Sequence, residues 1–284
     1  MHRHITAVMT REFLKMHGLG NDFVVIDART EPFAPSVAAV RAMADRKTGV
    51  GCDQFIVVEP PRTPGAAALM RIRNADGGEV EACGNAARCV GWLLMEETGG
   101  DHVRFETACG PLEAWRAGPE AVTVDMGPAR LEWAEIPLAR AVDTLHLPIA
   151  QDGVADPVAV NMGNPHCVFF VPDAESVEVE RIGPGLEHHP LFPERTNVEF
   201  ATVLGPSHIR MRVWERGVGV TRACGTGACA TLVAAARRGL TGRKADVVLD
   251  GGTLTIEWTA PGRVLMSGPV AVSFTGRLAA GLTA

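Results

Sequence analysis

Two cysteines stand in the same local pattern. Ala82-Cys83-Gly84-Asn85-Ala86-Ala87 leads into Val90-Gly91-Trp92-Leu93-Leu94-Met95, and Ala223-Cys224-Gly225-Thr226-Gly227-Ala228 leads into Ala230-Thr231-Leu232-Val233-Ala234-Ala235. A flexible Cys-Gly step ahead of helix-forming, mostly apolar residues predicts a loop that delivers each cysteine to the first turn of a buried helix. Backbone N–H groups at a helix N-terminus lack partners and favour a thiolate. That setting is worth ~0.3–1 kcal/mol at a surface and up to ~2 kcal/mol when partly buried, so one helix could bring a thiol from ~8.5 to about 7. Two such thiols facing one cavity would not both ionise readily, and the pair would hold one proton between them. One thiolate and one thiol make a base and an acid.

The other five cysteines, Cys52, Cys89, Cys109, Cys167 and Cys229, read as small core hydrophobes. Seven cysteines at irregular spacing suggest reduced thiols and a cytoplasmic setting more than a disulfide framework. The spacings Cys83 to Cys89 and Cys224 to Cys229 fall on helical segments without the C-x2-4-C knuckle of a zinc site, so no metal is expected.

The match between the two stretches extends upstream. Asn74 precedes Cys83 by the same nine positions by which Glu215 precedes Cys224. Gly20-Asn21 aligns with Gly163-Asn164 and Gln54 with Asn197 at an offset of 143, whereas the cysteines are offset by 141, as two loops of slightly different length would give. This is a degenerate internal duplication, predicting two similar domains related by a pseudo-twofold axis. The expected division is residues 1–127 with 270–284 as one domain and 128–269 as the other, with Gly127-Pro128 as the boundary signal.

The elements that must position these residues are mostly strands, giving a mixed α/β class. A hairpin opens the chain around Met16-His17-Gly18-Leu19-Gly20-Asn21-Asp22, a helix is expected over Val37 to Asp45, and Gln54 heads a strand. The helix after Cys83 is expected to stop at Gly99-Gly100. In the second half, strands are expected at Leu145 to Ile149 and Val158 to Asn161, and a short helix at Ala174 to Ile182. The turn Met162-Gly163-Asn164-Pro165-His166 follows the second of those strands, and the helix after Cys224 should end at Gly239.

With 284 residues, 46% of them hydrophobic, the chain can bury two ordinary cores. A net charge of −6, no basic cluster longer than Arg237-Arg238 and only 5% aromatics argue against a nucleic-acid surface. No apolar run approaches the ~18 residues a bilayer span needs, and Met1 to Arg11 has no signal-peptide core, although Met9 is an alternative start.

The repeated polar residues form an inventory: Asn21, Gln54, Asn74, Asn85, Asn164, Asn197, Glu215, Arg216 and Thr226. A single Asn at a turn is usually a turn-former, but recurrence in both halves weakens that reading. Arg216 can bind a carboxylate in bidentate fashion and Glu215 an ammonium, which suggests a small zwitterionic amino acid as ligand. His166 after Asn-Pro reads equally as structural or functional, and Asp76 as shaping its turn.

Several segments in order then resemble the diaminopimelate epimerase family over nearly the whole chain. They are His17-Gly18-Leu19-Gly20-Asn21-Asp22-Phe23, Gly51-Cys52-Asp53-Gln54, Arg73-Asn74-Ala75-Asp76-Gly77, Ala82-Cys83-Gly84-Asn85, Gly163-Asn164-Pro165-His166, Arg195-Thr196-Asn197, and Trp214-Glu215-Arg216-Gly217 with Ala223-Cys224-Gly225-Thr226-Gly227. The resemblance implies two domains of similar fold, each a strand-rich, barrel-like sheet around a central helix. It implies that the last strand returns to the first domain and that the active site lies in the cleft between the domains. It implies a cofactor-independent epimerase of L,L- and meso-diaminopimelate in lysine and cell-wall precursor biosynthesis, working as a homodimer without pyridoxal phosphate or metal. Cys83 and Cys224 would be the two catalytic bases, while Gly84, Asn85, Gly225 and Thr226 would hold the α-carboxylate of the reacting centre. Asn74, Asn164, Asn197 and Arg216 would hold the distal end, Asn21, Gln54 and Glu215 would line the site, and His166 and Glu215 would tune the thiols. Two departures stand out: the N-terminus is about ten residues longer than the motif needs, and there is no tyrosine, which some relatives use at their dimer contact. Two other readings are a cofactor-independent proline or hydroxyproline racemase, which needs no partner for a distal zwitterion, and a binding or isomerase relative lacking both cysteines.

Overall fold

The structure, a computed structural model, describes residues 11–80 and 83–282. Met9, the rest of the N-terminal extension, and Ala82 of the first cysteine motif lie outside the described residues. In chain order the elements are β1 (Arg11–Gly18), β2 (Asn21–Asp27), α1 (Val37–Ala44), β3 (Gln54–Glu59), β4 (Leu69–Asn74), β5 (Glu79–Val80), α2 (Gly84–Thr98), β6 (His102–Thr107), β7 (Gly110–Gly118) and β8 (Ala121–Pro128). There follow β9 (Ala150–Gln151), β10 (Val154–Ala155), β11 (Val158–Asn161), β12 (Pro165–Phe170), α3 (Val179–Glu187), β13 (Asn197–Gly205), β14 (His208–Glu215), β15 (Gly219–Val220) and α4 (Gly225–Arg237). The chain closes with β16 (Lys244–Leu249), β17 (Gly252–Trp258), β18 (Arg263–Pro269) and β19 (Ala271–Leu278). It divides into two compact units: the described residues up to Val122 together with those from Pro269 on, and Thr123–Gly268.

Each unit winds its strands in the same sense. In the first, β1 and β2 are antiparallel, β2 and β3 parallel, β3 pairs antiparallel with β4, β4 runs parallel to β6, and β6 pairs antiparallel with β7. In the second, the sequence recurs with β11, β12, β13, β14, β16 and β17 in those places. The duplication read in the sequence is therefore a duplication of topology. The hairpin turn at Leu19-Gly20 takes positive φ at both residues, 56° and 83°, which glycine tolerates at its position.

Within each unit one helix is wrapped by the sheet. In α4 every residue from Gly227 to Ala235 is buried, against β11, β12, β13, β14, β16 and β17. A helix apolar all round is stable only inside a core, which is why the small residues after each cysteine form it. The α2 helix packs on β1, β6 and β7 and ends at Gly99, in the left-handed conformation at φ 66°.

Three local expectations need correction. Residues 145–149 form no strand: Leu145 N is held by Asp143 Oδ1 at 2.9 Å, and Pro148 has no N–H to offer a ladder. The alternation seen there is one of burial alone. The expected helix at Ala174 to Ile182 is a single 3-10 turn, Ala174–Ser176, tightened by Asp173 accepting from Glu175 N, followed by α3. Cys109 is exposed rather than in the core, whereas Cys52, Cys89, Cys167 and Cys229 are buried, and none of the seven cysteines forms a disulfide.

Candidate active site

In the first unit Cys83 is the N-cap of α2. Its backbone is extended, with φ −148° and ψ 113°, and its carbonyl accepts from Ala87 N at 2.9 Å, while the thiol makes no capping bond to the helix. Cys83 Sγ lies 3.7 Å from Asn21 Oδ1, which also accepts from Asn85 Nδ2 at 3.2 Å. Asn21 Nδ2 donates to Asp53 Oδ2 at 3.1 Å, so the amide is oriented from behind, NH2 toward the carboxylate and carbonyl toward the thiol. Arg46 grips both Asp53 and Asp22 at 2.7 Å, and Lys15 Nζ sits 2.5 Å from Asp22. Burial pushes the Asp22 carboxyl up, but the bonds from Arg46 and Lys15 outweigh it and hold the group well below the usual carboxylate range. Burial also pushes the neighbouring Cys52 thiol up to about 11, leaving it inert. Gln54 and Asn74 face each other across β3 and β4, with Gln54 Nε2 donating to Asn74 Oδ1 at 3.2 Å. Gly84 and Asn85 open α2 and supply first-turn N–H groups that have no partner within the helix.

In the second unit Cys224 is the N-cap of α4, again extended, with φ −115° and ψ 106°, and its carbonyl accepts from Ala228 N at 3.0 Å. Here the thiol does cap: Gly227 N donates to Sγ at 3.4 Å, and Thr226 Oγ1 lies 3.6 Å away. The thiol is buried, and the half-buried Glu215 hydrogen-bonds it while accepting from Thr221 Oγ1. Burial first, then the carboxylates of Glu215 and Glu199, push Cys224 well above an ordinary thiol. At this cysteine the expected lowering by the helix N-terminus does not prevail, because desolvation and like charge outweigh a dipole worth ~2 kcal/mol at most. Burial also raises Glu215, with Thr221, Cys224 and His166 drawing it partly back.

Behind Cys224, His166 bridges two oxygens: Nδ1 to Glu199 Oε1 at 2.6 Å and Nε2 to Asn164 Oδ1 at 2.9 Å. The carboxamide of Asn197 is committed within the protein, Nδ2 donating to Pro165 O at 2.9 Å and Oδ1 accepting from Arg216 N at 3.0 Å. The guanidinium of Arg216 donates to Glu194 O at 3.1 Å. Gly225 and Thr226 open α4 as Gly84 and Asn85 open α2. Among the described residues, no group of three or more His, Cys, Asp or Glu side chains is arranged to hold a metal ion.

The structure thus gathers Cys83, Asn21 and Asn85 in one unit, with Gln54 and Asn74 paired, and Cys224, Thr226, Glu215 and the His166–Asn164 pair in the other. The sequence reading missed four supporting residues. Asp53 orients Asn21, Thr221 holds Glu215, and Glu199 holds His166. Buried Glu187 braces the turn after Arg216 by accepting from Gly217 N at 3.0 Å and from Trp214 Nε1 at 2.7 Å. Glu199 carried a signal at the 143-residue offset, where it falls on the apolar Ile56.

The duplicated strand-rich unit wound around a central helix is a fold shared with solved structures. A hydroxyproline epimerase from Agrobacterium vitis superposes with a TM-score of 0.67 at 18% identity, over 95% of this chain and 92% of that one. A phenazine biosynthesis protein of the PhzF family from Enterococcus faecalis gives 0.71 at 15% identity, over 95% and 99%. At such identities the likeness is one of fold. The sequence narrows it: residues 13–132 and 158–272 match the profile of the diaminopimelate epimerase family. The chain is 62% identical to the diaminopimelate epimerase of Rhodospirillum centenum, covering 95% of this chain and 93% of the relative, and 59% identical to that of Phenylobacterium zucineum, covering 96% and 100%. The chain belongs to the diaminopimelate epimerase family.

Proposed function

We propose that this protein is a cofactor-independent epimerase that interconverts L,L-diaminopimelate and meso-diaminopimelate, with Cys83 and Cys224 as its two acid-base groups. The observation that carries the reading is full-length identity to diaminopimelate epimerases together with two N-cap cysteines on equivalent helices. The thiolate of one cysteine takes the α-proton as the C–H bond breaks, and the electron pair delocalises into the α-carboxylate. The thiol of the other gives its proton to the opposite face of the carbon. No atom is gained or lost, and the two sulfurs exchange protonation states. First-turn N–H groups from Gly84, Asn85, Gly225 and Thr226 bind the carboxylate and stabilise the negative charge that develops on it.

Glu215 acts as the direct modulator of Cys224, and His166 acts through Glu215, whose carboxyl its charge draws down. Asn21 and Gln54 line the site, while Asn74, Asn164 and Arg216 hold the distal amino-acid end, with Asn197 supporting the backbone of Arg216. The reaction serves lysine and cell-wall precursor supply in the cytoplasm; among the described residues no helix is long and apolar enough to cross a membrane. A homodimer is supported by Val272 and Phe274, which stand exposed on β19, and sedimentation at micromolar concentration tests it. Proline and hydroxyproline racemases are distant in sequence, and the Glu215-Arg216 pair favours a substrate with a second charged end.

The test is to incubate reduced protein with L,L-diaminopimelate in deuterated water. Appearance of the meso isomer together with α-deuterium supports the reading. Neither signal from folded, fully reduced protein overturns it, and proline would then be the next substrate.

A further inference from the structure

Two polar side chains in the second unit occupy places that the first unit fills with hydrocarbon. At the offset that carries Asn21 onto Asn164 and Gln54 onto Asn197, Phe23 falls on His166 and Ile56 on Glu199. All four side chains are completely buried. The strand registers agree, Phe23 standing opposite Gln54 and His166 opposite Asn197, each across a parallel pairing. The scaffold therefore folds with an apolar pair at this place. Burying an imidazole against a carboxylate carries a desolvation penalty that hydrocarbon escapes, and replacing buried ion pairs by shape-matched apolar groups is often neutral or stabilising. Packing alone does not account for His166 and Glu199.

The geometry gives the pair a direction. The imidazole lies between two oxygens, Glu199 Oε1 and Asn164 Oδ1, one at each ring nitrogen, and a ring donating from both nitrogens satisfies both. The second carboxylate oxygen, Oε2, is buried without a hydrogen-bond partner, so Glu199 is spent on this one contact. Because the carboxylate can only accept, Nδ1 is the donor to it, and a ring that also carries a proton on Nε2 meets Asn164 through its carbonyl. The NH2 group of Asn164 is thereby turned away from His166. The other ionisable groups around the pair are Cys167, Glu215 and Cys224.

We propose that Glu199 is a positioning residue which, through His166, fixes the Asn164 carboxamide so that its NH2 is presented as a donor to a carboxylate of the substrate. The inference rests on the proposed function, in which Asn164 touches the substrate. It makes the second unit the mirror of the first, where Asp53 orients the Asn21 amide with the opposite polarity, carbonyl outward.

The experiment has two arms. In Glu199→Gln, a side chain of the same shape can turn either its carbonyl or its NH2 to His166, and the relay loses its direction. KM for L,L-diaminopimelate should rise about tenfold while kcat falls no more than about threefold. In an Asn164→Ala background the same substitution should add nothing further. An unchanged KM in Glu199→Gln, or a full tenfold rise persisting in the Asn164→Ala background, would overturn the proposal. The second arm needs no substrate: nitrogen NMR of the unmodified protein at neutral pH should show hydrogens on both ring nitrogens of His166, and a bare Nε2 would overturn it. If the protein fails to turn over diaminopimelate at all, the substrate reading falls while the ring-nitrogen result still decides the relay.

Discussion

The two units set the same chemical group on the same scaffold and treat it differently. Cys83 is partly exposed, makes no cap to its helix and lies beside the carboxamide of Asn21, which also takes Asn85 Nδ2. Cys224 is buried, capped by Gly227 N, and lies beside Glu215 and Glu199. In the first unit Lys15, Asp22, Arg46 and Asp53 are gathered behind Asn21 and bind one another there. An epimerase of this type needs an acid and a base of one chemical kind, and symmetric surroundings would leave their protonation undecided. On the proposed mechanism, duplication supplies the two positions and unequal burial and charge assign the proton, with Cys224 as the resting thiol.

The largest expected effect comes from removing either sulfur. Cys83→Ser and Cys224→Ser should each lower kcat for stereoinversion by at least ~10³-fold, as general acid-base groups of this kind contribute, with ligand binding by calorimetry largely kept. Full turnover in either variant would break the comparison outright. Next is the exchange that imports the first unit's residues into the second. His166→Phe with Glu199→Ile should fold at least as stably as the parent while kcat/KM drops at least about tenfold, whereas His166→Phe alone, leaving a buried unpaired carboxylate, should lose ~3–5 kcal/mol in denaturant titration. A double variant with parental activity would mean that the polar pair has no role in the reaction.

Gly227 sharpens the same point. Its counterpart at the cysteine offset is Ala86, which is completely buried, so the first unit accommodates a methyl group there. A Cβ on Gly227 would stand 2.9 Å from Glu199 Oε1 and 3.2 Å from Cys224 Sγ. Gly227→Ala should therefore destabilise by ~1–3 kcal/mol through overpacking, and less when Glu199 is also shortened to Ala. The smallest effect is in pH. Because burial raises Glu215 above 4.5 in the folded state, its contribution to stability is present below that value and is lost as pH rises through the raised one. The unfolding free energy of the parent should fall over that window relative to Glu215→Gln, and parallel pH curves would show that Glu215 is not held in this way.

Much of this was legible in the chain. The cysteine motifs, the polar residues repeated at 143 and 141 positions, and the glycine stops at Gly99 and Gly239 are local signals, and topology followed them. What escaped was of two kinds. Residues 145–149 alternate in burial as a strand would, but Pro148 and the Asp143 turn deny the ladder its donors, a competition that hydropathy does not register. Asp53, Glu187 and Glu199 act through partners far along the chain, and Thr221 through Glu215 across a turn, so nothing immediately beside them marks their role. Glu199 alone left a trace, an acid aligned with Ile56, visible only once the duplication is used to ask where the halves differ in polarity.

The most direct measurement is the pH dependence of alkylation at Cys224 in a Cys83→Ser background, resolved by peptide mass spectrometry with exposed Cys109 in the same molecule as reference. The account expects Cys224 to react only at a pH well above that at which an ordinary thiol ionises, and Glu215→Gln to bring that pH down. Ionisation of Cys224 at or below the ordinary thiol range would contradict it, and the assignment of Cys224 as the resting acid would have to be given up.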